Sequence, residues 1–318
     1  MRILSIGDLH ITISSFDFIK ELGIELSKII KIKKPDKIVV LGDILNDFNK
    51  VGILELDCAL NFLTLLSSQV KTYVIIGNHD MADKQFLTKN HWLKNTQRPD
   101  SLIIIDQVMI EDDITFCPYV NTGRFIEALD TCQGWKDSSV IFAHQEFKGA
   151  NMSSGVSLLG DEWDSLLPSV ISGHIHGTQT IDNIWYPGNI SAQRSNYLCY
   201  VDMEDDEVNI SLEKMENLKS GVEEKTVDEL LSSNETFHNK VIVVSGDNDS
   251  VESFQKTKMY EILNQENVVK FKTQDGSFLE YYRKQISKEG DSYLFCAAER
   301  VLTDKEYNED DHLFVPAC

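Results

Sequence analysis

The sequence predicts an α/β fold in which two mixed parallel and antiparallel sheets form a sandwich flanked by helices, followed by a small α/β domain. Short runs rich in Ile and Val alternate with amphipathic segments up to residue 76, which is typical of parallel β-α-β units. Beyond residue 100 the apolar runs follow one another more closely, which favours a change to antiparallel pairing. From about residue 203 the composition becomes polar and acidic, which indicates a change of domain.

The first part of the chain alternates predicted strands and helices. Apolar runs predict strands at 3–6, 37–41 and 73–76. Ile and Leu recur at helical spacing in 17–32 and 54–68, so we expect helices there that pack on the sheet. Further strands are predicted at 102–105, 107–110, 113–117, 140–143, 169–172, 184–186, 198–202 and 207–212, with a helix at 122–132.

The change in composition divides the chain into three segments. We expect a first domain at 1–212 and a polar, Glu- and Ser-rich linker at 213–236. A strand at 240–245, a helix at 251–263 and a strand at 267–272 would then form a small α/β domain. This domain is expected to span 237–318 and to end in an acidic tail at 299–318.

Composition limits the classes of protein to which the chain can belong. Of its 318 residues, 42% are hydrophobic, which is ordinary for a globular protein. Apolar runs stay well short of 18 residues, so no transmembrane helix is expected. The chain enters a predicted strand within two residues, so no signal peptide is expected. Six scattered Cys without a C-x-x-C pair favour free thiols in a reducing cytoplasm.

Polar residues suited to binding metal follow five of the predicted strands. They are Asp8, His10, Asp43, Asn78, His79, His144, His174 and His176. The carboxyl ends of strands in open α/β sheets are where ligand sites form, so we expect these side chains at one edge. Asp8 and His10, like His174 and His176, are alternate residues of extended segments and project to the same side.

The chemistry of these side chains favours a metal centre over a set of unrelated turns. A lone Gly-Asp or Gly-Asn-His-Asp is more often a turn than a site, but five motifs in order after five strands point to shared chemistry. Mixed oxygen and nitrogen ligands suit Mn, Fe or Zn better than Ca or Mg. Two ions about 3.5–4 Å apart need a bridging ligand. Asp43 is the candidate for that bridge.

The ordered motifs D-x-H, G-D, G-N-H-D, H and G-H-x-H resemble those of calcineurin-like metallophosphoesterases over roughly residues 1–200. The resemblance implies that Asp8, His10, Asp43 and His176 hold one divalent ion, and that Asp43, Asn78, His144 and His174 hold a second. It also implies that His79 faces the scissile phosphate as a general acid or charge stabiliser. Mn2+ is the expected metal, with Mg2+, Fe and Zn as alternatives, and a metal-activated water would be the nucleophile.

Further residues narrow the branch of that family. Asp43 lacks the Asp-Arg-Gly continuation of Ser/Thr protein phosphatases, and Asp80 stands where they have Glu. Residues 143–149, 152–153, 173–176 and 185–189 are similar to the nuclease subunit of SbcCD-type DNA repair complexes, most of all the short phage-encoded versions. In those nucleases a cap domain that narrows substrate access follows the catalytic domain, so the resemblance implies that the small α/β domain at 237–318 is a cap. This resemblance implies a DNA exo- or endonuclease that works with an SbcC-type coiled-coil ATPase in recombination and repair, in the cytoplasm or host cytoplasm. The alternative is a phosphatase or phosphodiesterase acting on a small molecule or phosphoprotein.

The charge of the chain bears on its partners. The formal net charge is −21, divided into −7 for residues 1–200 and −14 for residues 201–318. DNA binding needs Lys and Arg contacts to phosphates, so we expect the chain alone to bind DNA weakly. Either a basic partner supplies the affinity, or the substrate is not a polymer. A homodimer is left open as well.

One position departs from the family pattern. Many relatives carry Asp or His three residues after the bridging aspartate, where it contacts the catalytic histidine. Here that residue is Asn46, with Asp47 next. An Asn side chain can orient an imidazole but cannot stabilise imidazolium by charge. The sequence leaves open whether Asn46 or Asp47 supports His79.

Overall fold

The computed structural model describes residues 1–47, 51–82, 90–152, 155–191, 196–205, 207–215, 218, 222–232, 241–266 and 268–273. Contacts divide the chain into two units, Met1–Lys219 and Ser220–Cys318. The boundary falls within the segment expected to be a linker.

The first unit alternates strands and helices before its strands become more frequent. Its elements are β1 (Arg2–Ile6), α1 (Phe16–Lys33), β2 (Lys37–Val40), α2 (Ile53–Ser67), β3 (Thr72–Ile75), β4 (Leu102–Ile105), β5 (Met109–Glu111), β6 (Ile114–Cys117), α3 (Phe125–Leu129), β7 (Val140–His144), β8 (Asn151–Met152), β9 (Gly155–Val156), β10 (Ser169–Gly173), β11 (Gln179–Ile181), β12 (Ile184–Tyr186), β13 (Tyr197–Glu204) and β14 (Glu207–Lys214). Short 3-10 turns at Ile13–Ser15 and Trp135–Asp137 complete it.

Two six-stranded mixed sheets form the centre of this unit. The first has the order β14-β13-β1-β2-β3-β4, and β1 to β4 are parallel to one another. The second has the order β11-β12-β10-β7-β6-β5, with β6, β7, β10 and β12 parallel. Antiparallel pairs lie at the edges, where β13 and β14 extend the first sheet and β5 and β11 close the second. The predicted α/β sandwich is confirmed.

Apolar side chains divide the unit into layers. Ile3, Val39 and Tyr73 of the first sheet pack with Phe116 and Phe142 of the second, which forms a core between the sheets. Alternate residues of the same strands face the other way and pack on α1 and α2. A third cluster includes α3 on the outer side of the second sheet. Both faces of the central strands are therefore buried, which explains their continuous apolar runs.

Three predictions for this unit need correction. The strand expected at 107–110 forms at Met109–Glu111, and the helix expected at 122–132 is limited to Phe125–Leu129. Gly123 has a φ of +85°, which no α-helix accommodates, so α3 begins after it. The change to antiparallel pairing beyond residue 100 is only partial, because β4 joins the first sheet in parallel and the middle of the second sheet is parallel.

The second unit is a small α/β unit with a parallel sheet. Its described elements are β15 (Val222–Thr226), α4 (Val227–Ser232), β16 (Val241–Gly246), α5 (Asn248–Gln255), α6 (Lys258–Glu266) and β17 (Val268–Thr273). The strands lie in the order β15-β16-β17 over a core that includes Leu230, Val244 and Phe254. Part of the expected linker is thus a strand and a helix. The acidic tail at 299–318 lies outside the described residues.

The single helix expected at 251–263 is two helices. Thr257 separates them: its hydroxyl donates to the carbonyl oxygen of Phe254 at 2.7 Å and accepts from the backbone N–H of Tyr260 at 3.2 Å. A side chain that bonds the backbone on both sides in this way offers an alternative to the helical ladder.

Two expectations from composition can be set against the structure. Among the residues described, no helix is both long enough and apolar enough to cross a membrane. Cys58, Cys117, Cys132 and Cys199 are free thiols, and of these Cys117 and Cys199 are buried.

Candidate metal centre

The eight candidate side chains meet at the carboxyl-terminal edge of the two sheets. The loops after β1, β2, β3 and β10 carry seven of them, and His144 is the last residue of β7. β1, β2 and β3 are neighbours in the first sheet, as β7 and β10 are in the second. Three groups of side chains have ligand atoms within 4.8 Å of one another: Asp8 with His10 and His176, His10 with Asp43 and His79, and Asp43 with His144 and His174. The sequence-predicted residues are therefore brought together in space.

Asp43 lies between the two halves of this cluster. Its Oδ2 atom is 3.3 Å from Nε2 of His144 and 3.8 Å from Nε2 of His10. Its Oδ1 atom accepts a hydrogen bond from the backbone N–H of His79 at 2.8 Å. Only 2% of the residue is exposed, so water cannot balance the charge of its carboxylate and neighbouring protein groups must do so. Burial raises the pKa of Asp43, but the charge and hydrogen bond of His144 outweigh burial and hold the pKa well below its usual range.

Asp8, His10 and His176 form one half of the cluster. The Nε2 atoms of His10 and His176 are 3.0 Å apart. Burial lowers the pKa of His10 to about 3, so this imidazole is neutral and keeps a lone pair for a ligand. Burial also raises the pKa of Asp8 to about 8, an effect that His144 opposes and the charge of Asp43 increases. The raised pKa of Asp8 shows a carboxylate whose charge is costly to bury without a cation.

Asn78, His144 and His174 form the other half. The amide oxygen of Asn78 is 3.0 Å from Nε2 of His144 and 2.8 Å from Nδ1 of His174. On its other side His144 donates from Nδ1 to the carbonyl oxygen of Leu41 at 2.7 Å. A backbone carbonyl on the far nitrogen is the usual way in which a ligating histidine is oriented. His144 thus presents Nε2 to the oxygens of Asn78 and Asp43.

The donor set fits divalent metal. Burial opposes protonation of His144, but the charges of Asp43 and Asp8 raise its pKa to about 9, so a bound cation would take the place of that proton. The loops are also closely fitted around the carboxylates. A Cβ atom at Gly77 would lie 2.3 Å from Oδ1 of Asp43, and one at Gly173 would lie 2.5 Å from Oδ1 of Asp8. Only glycine leaves these carboxylates in place.

Three of the candidate ligands have left-handed backbone. The φ angles are +43° at His10, +49° at Asp43 and +76° at His174. The first two are held together by backbone hydrogen bonds, because the N–H of His10 donates to the carbonyl oxygen of Asp43 at 2.9 Å. Non-glycine residues in this region are uncommon and cluster at functional sites.

His79 is oriented by a backbone group. Its Nδ1 atom lies 2.5 Å from the carbonyl oxygen of Asn46. The Asn46 side chain instead donates to Oδ1 of Asp47 at 3.2 Å. The sequence left the support of His79 open between the side chains of Asn46 and Asp47, and the contact described here is made by the backbone of Asn46. The ring of His79 also packs edge-on against His10, with 4.8 Å between centroids.

Sequence reasoning gave no structural role to Asp80, which holds two of the loops together. Its carboxylate accepts from the backbone N–H groups of Ile44 at 3.1 Å and Gly77 at 3.0 Å, and from Nε1 of Trp92 at 2.8 Å. Burial, followed by the charge of Asp43, raises its pKa to about 6. The signal that marks Asp80 is its place directly after His79 in the third motif.

Two further residues beside His174 were missed. Glu146 places Oε2 3.8 Å from Nε2 of His174, and its Oε1 accepts from the hydroxyl of Ser157 at 2.5 Å. The ring of Tyr119 lies 5.6 Å from the ring of His174. Glu146 lies in segment 143–149, whose similarity to SbcCD-type nucleases is the signal that marks it. Nothing in the sequence marked Tyr119.

A two-sheet α/β fold with such a donor set at its carboxyl edge defines a metal-binding phosphoesterase. Residues 1–178 match the family model for calcineurin-like phosphoesterases, and the chain belongs to that family. It is 32% identical over 335 residues to a protein of Invertebrate iridescent virus 3 with the provisional name phosphoesterase 078R, covering 95% of this chain and 96% of that protein. It is 38% identical over 197 residues to the similarly named 244L of Invertebrate iridescent virus 6, covering 59% and 70%.

Two solved structures are distantly similar to this chain. A novel archaeal phosphodiesterase is 16% identical, with a TM-score of 0.35, over 67% of this chain and 100% of that one. The nuclease MPE of Pseudomonas putida is 13% identical, with a TM-score of 0.31, over 62% and 83%.

Proposed function

We propose that the protein is a two-metal phosphodiesterase, a DNA exo- or endonuclease subunit that works with an SbcC-type ATPase in recombination and repair. Family membership establishes a phosphoesterase. The diester substrate, the DNA role, the partner and the number and identity of the ions are the parts proposed.

The observation that carries the proposal is the position of Asp43. One oxygen of this carboxylate lies within 4 Å of a ring nitrogen from each half of the cluster, at His10 and at His144. A carboxylate placed between two such donor sets is suited to bridging two ions. We therefore assign Asp8, His10, Asp43 and His176 to one ion and Asp43, Asn78, His144 and His174 to the other, with Mn2+ as the expected metal.

The protein groups have distinct tasks in the hydrolysis. Bound divalent ions would stabilise charge on the phosphoryl oxygens and lower the pKa of the attacking water. Asn46 holds Nδ1 of His79, so the proton that His79 gives to the leaving oxygen is the one on Nε2. Asp80 and the glycines fix the loops, which keeps these groups in position before substrate binds.

The nuclease assignment is supported by segments that contact one another. Residues 143–149 and 185–189 carry the similarity to SbcCD-type nucleases. The backbone N–H of Phe147 donates to the hydroxyl of Tyr186 at 3.0 Å, and that hydroxyl donates to the carbonyl oxygen of Gln145 at 3.2 Å. The two segments thus form one structural feature next to His144, so the similarity to these nucleases covers a connected part of the site.

A small-molecule or phosphoprotein substrate is the second candidate, and the charge favours it. A net charge of −21 repels a polyanion and slows its encounter with the site. For the nuclease function, a basic partner would have to supply most of the DNA affinity. The SbcC-type ATPase is proposed in that role.

Two experiments test these proposals. The Mn2+-loaded protein should hydrolyse bis-p-nitrophenyl phosphate with higher kcat/KM than the monoester; the reverse order would favour a phosphatase. Labelled duplex DNA should bind the isolated chain weakly at about 150 mM salt, and tightly once the ATPase is added. Tight, salt-dependent binding by the isolated chain would contradict the proposal that the ATPase supplies most of the DNA affinity.

A further inference from the structure

A cleft of about 520 Å³ opens beside His79. Its lining combines polar side chains, those of Asp47, His79, Asp80 and His91, with the less polar ones of Val51, Met81, Ala82 and Trp92. A volume of this size is typical of sites for small organic molecules. Val51, Met81 and Trp92 lie outside the candidate metal centre, so the cleft extends beyond that centre at the carboxyl-terminal edge of the sheets.

Hydrogen bonds within the protein fix residues that line the cleft. Met81 and His91 pair in an antiparallel bridge, and the N–H of Ala82 donates to the carbonyl oxygen of Asn90 at 2.8 Å. The indole N–H of Trp92 donates to Asp80, which is itself buried. The aromatic side chain is therefore fixed before any ligand binds, and little conformational entropy would be lost on binding.

The position of His79 indicates which part of the substrate would enter. A general acid must lie within hydrogen-bonding reach of the leaving oxygen. The leaving group therefore occupies space that adjoins His79, and the cleft is such a space. Within its mixed lining, the indole of Trp92 and the side chains of Val51 and Met81 offer a surface for a flat, uncharged group, because nucleic-acid bases stack on aromatic side chains whatever their sequence.

We propose that this cleft is a subsite for the base of the leaving-group nucleoside, with Trp92 as its stacking partner. The inference rests on the proposed phosphodiesterase function and specifies the substrate on one side of the scissile bond. Specificity would come from the presence of a base and not from its identity, because stacking does not read hydrogen-bonding edges.

The test uses three diesters of the same charge. They are thymidylyl-thymidine and its two analogues in which one or the other deoxyribose lacks its base. With the Mn2+-loaded protein, we expect kcat/KM to fall by about 10- to 100-fold for the analogue that lacks the base of the leaving group. Analysis of the cleavage products shows which of the two nucleosides is the leaving group. Equal rates for all three would overturn the inference, whereas failure to cleave any diester would overturn the proposed function instead.

A matched pair of variants isolates the ring of Trp92. Trp92→Phe and Trp92→Leu both lose the hydrogen bond to Asp80, but only the first keeps an aromatic face. The preference for the base should persist in Trp92→Phe and fall below about threefold in Trp92→Leu. Equal loss in both would show that the bond to Asp80 matters and stacking does not.

A second position keeps the test decisive if the Trp92 variants fail to fold. Val51 is 39% exposed, so a charge there is compatible with folding. Val51→Asp should lower kcat/KM for thymidylyl-thymidine but not for the analogue lacking the leaving-group base, with Val51→Thr as the isosteric control. An equal effect of Val51→Asp on both substrates would contradict the subsite.

Discussion

The imidazole of His79 is held by the backbone of Asn46, with 2.5 Å between Nδ1 and the carbonyl oxygen. Because the carbonyl remains when the side chain is removed, Asn46→Ala should keep turnover of bis-p-nitrophenyl phosphate within about threefold of wild type. A loss of 100-fold would mean that the amide side chain takes part after all.

Removal of the imidazole should have a different effect. We expect His79→Ala to retain its metal and to lose turnover by about 10²–10⁴-fold, the usual contribution of a positioned acid. Elemental analysis and steady-state kinetics check the two halves of this prediction. Loss of metal would identify His79 as a ligand, as its closeness to His10 and Asp43 allows.

Asp43→Asn should abolish both metal binding and activity. The amide keeps the volume of the side chain but removes the negative charge that both halves of the cluster share. Metal stoichiometry by elemental analysis is the readout, and Asp100→Asn, at an exposed carboxylate, is the matched control. Two ions per chain and normal turnover in Asp43→Asn would refute the bridging role.

Glu146 is expected to act through His174. Its carboxylate faces Nε2 of that ring at 3.8 Å and is itself held by Ser157. Outer groups of this kind orient a ligating imidazole, so Glu146→Gln should weaken binding of one of two Mn2+ ions by about tenfold. Calorimetric titration would show this, with Glu162→Gln as control because Glu162 pairs only at the surface with Lys148. Unchanged affinities would leave Glu146 with no part in binding.

A pH-dependent contribution to stability is expected at Glu111. Burial opposes its ionisation, but hydrogen bonds from Lys71, Tyr73 and Lys37 hold the pKa of Glu111 at about 2, below its ordinary value of 4.5. Its contribution is therefore present above pH 4.5 and is lost as the pH falls towards 2.

The test of this contribution is Glu111→Gln. We expect it to lower the free energy of unfolding by about 1–3 kcal/mol at pH 7. The gap between the variant and wild type should narrow at pH 3 in urea titrations. A gap that stays constant from pH 7 to pH 3 would show that ionisation of Glu111 does not contribute.

The parts of the fold that sequence could predict are those in which local pattern and burial agree. Ile3 and Val39 face the other sheet while Leu4 and Val40 face the helices, so these strands are apolar throughout and easily recognised. β15 has the sequence Val-Glu-Glu-Lys-Thr, and only pairing with β16 makes it a strand.

Within the site, sequence identified side chains but not the backbone groups that orient them. The five motifs sufficed to name the eight candidate residues, because their chemistry is local. The carbonyl oxygens of Leu41 and Asn46, which hold His144 and His79, are common to every residue type. No sequence pattern can mark them, since their role arises only when distant loops meet.

The left-handed backbone of the candidate metal-binding loops lowers the stability of the fold. A residue other than glycine in this conformation costs about 1–2 kcal/mol, and His10 and His174 both adopt it. Glycine at either position would relax the chain and delete an imidazole. Selection of variants for heat resistance alone would therefore favour glycine at these positions and remove the proposed ligands, as expected where activity and stability trade off. Engineering for robustness should leave these loops untouched and seek its gains in the helices and outer strands.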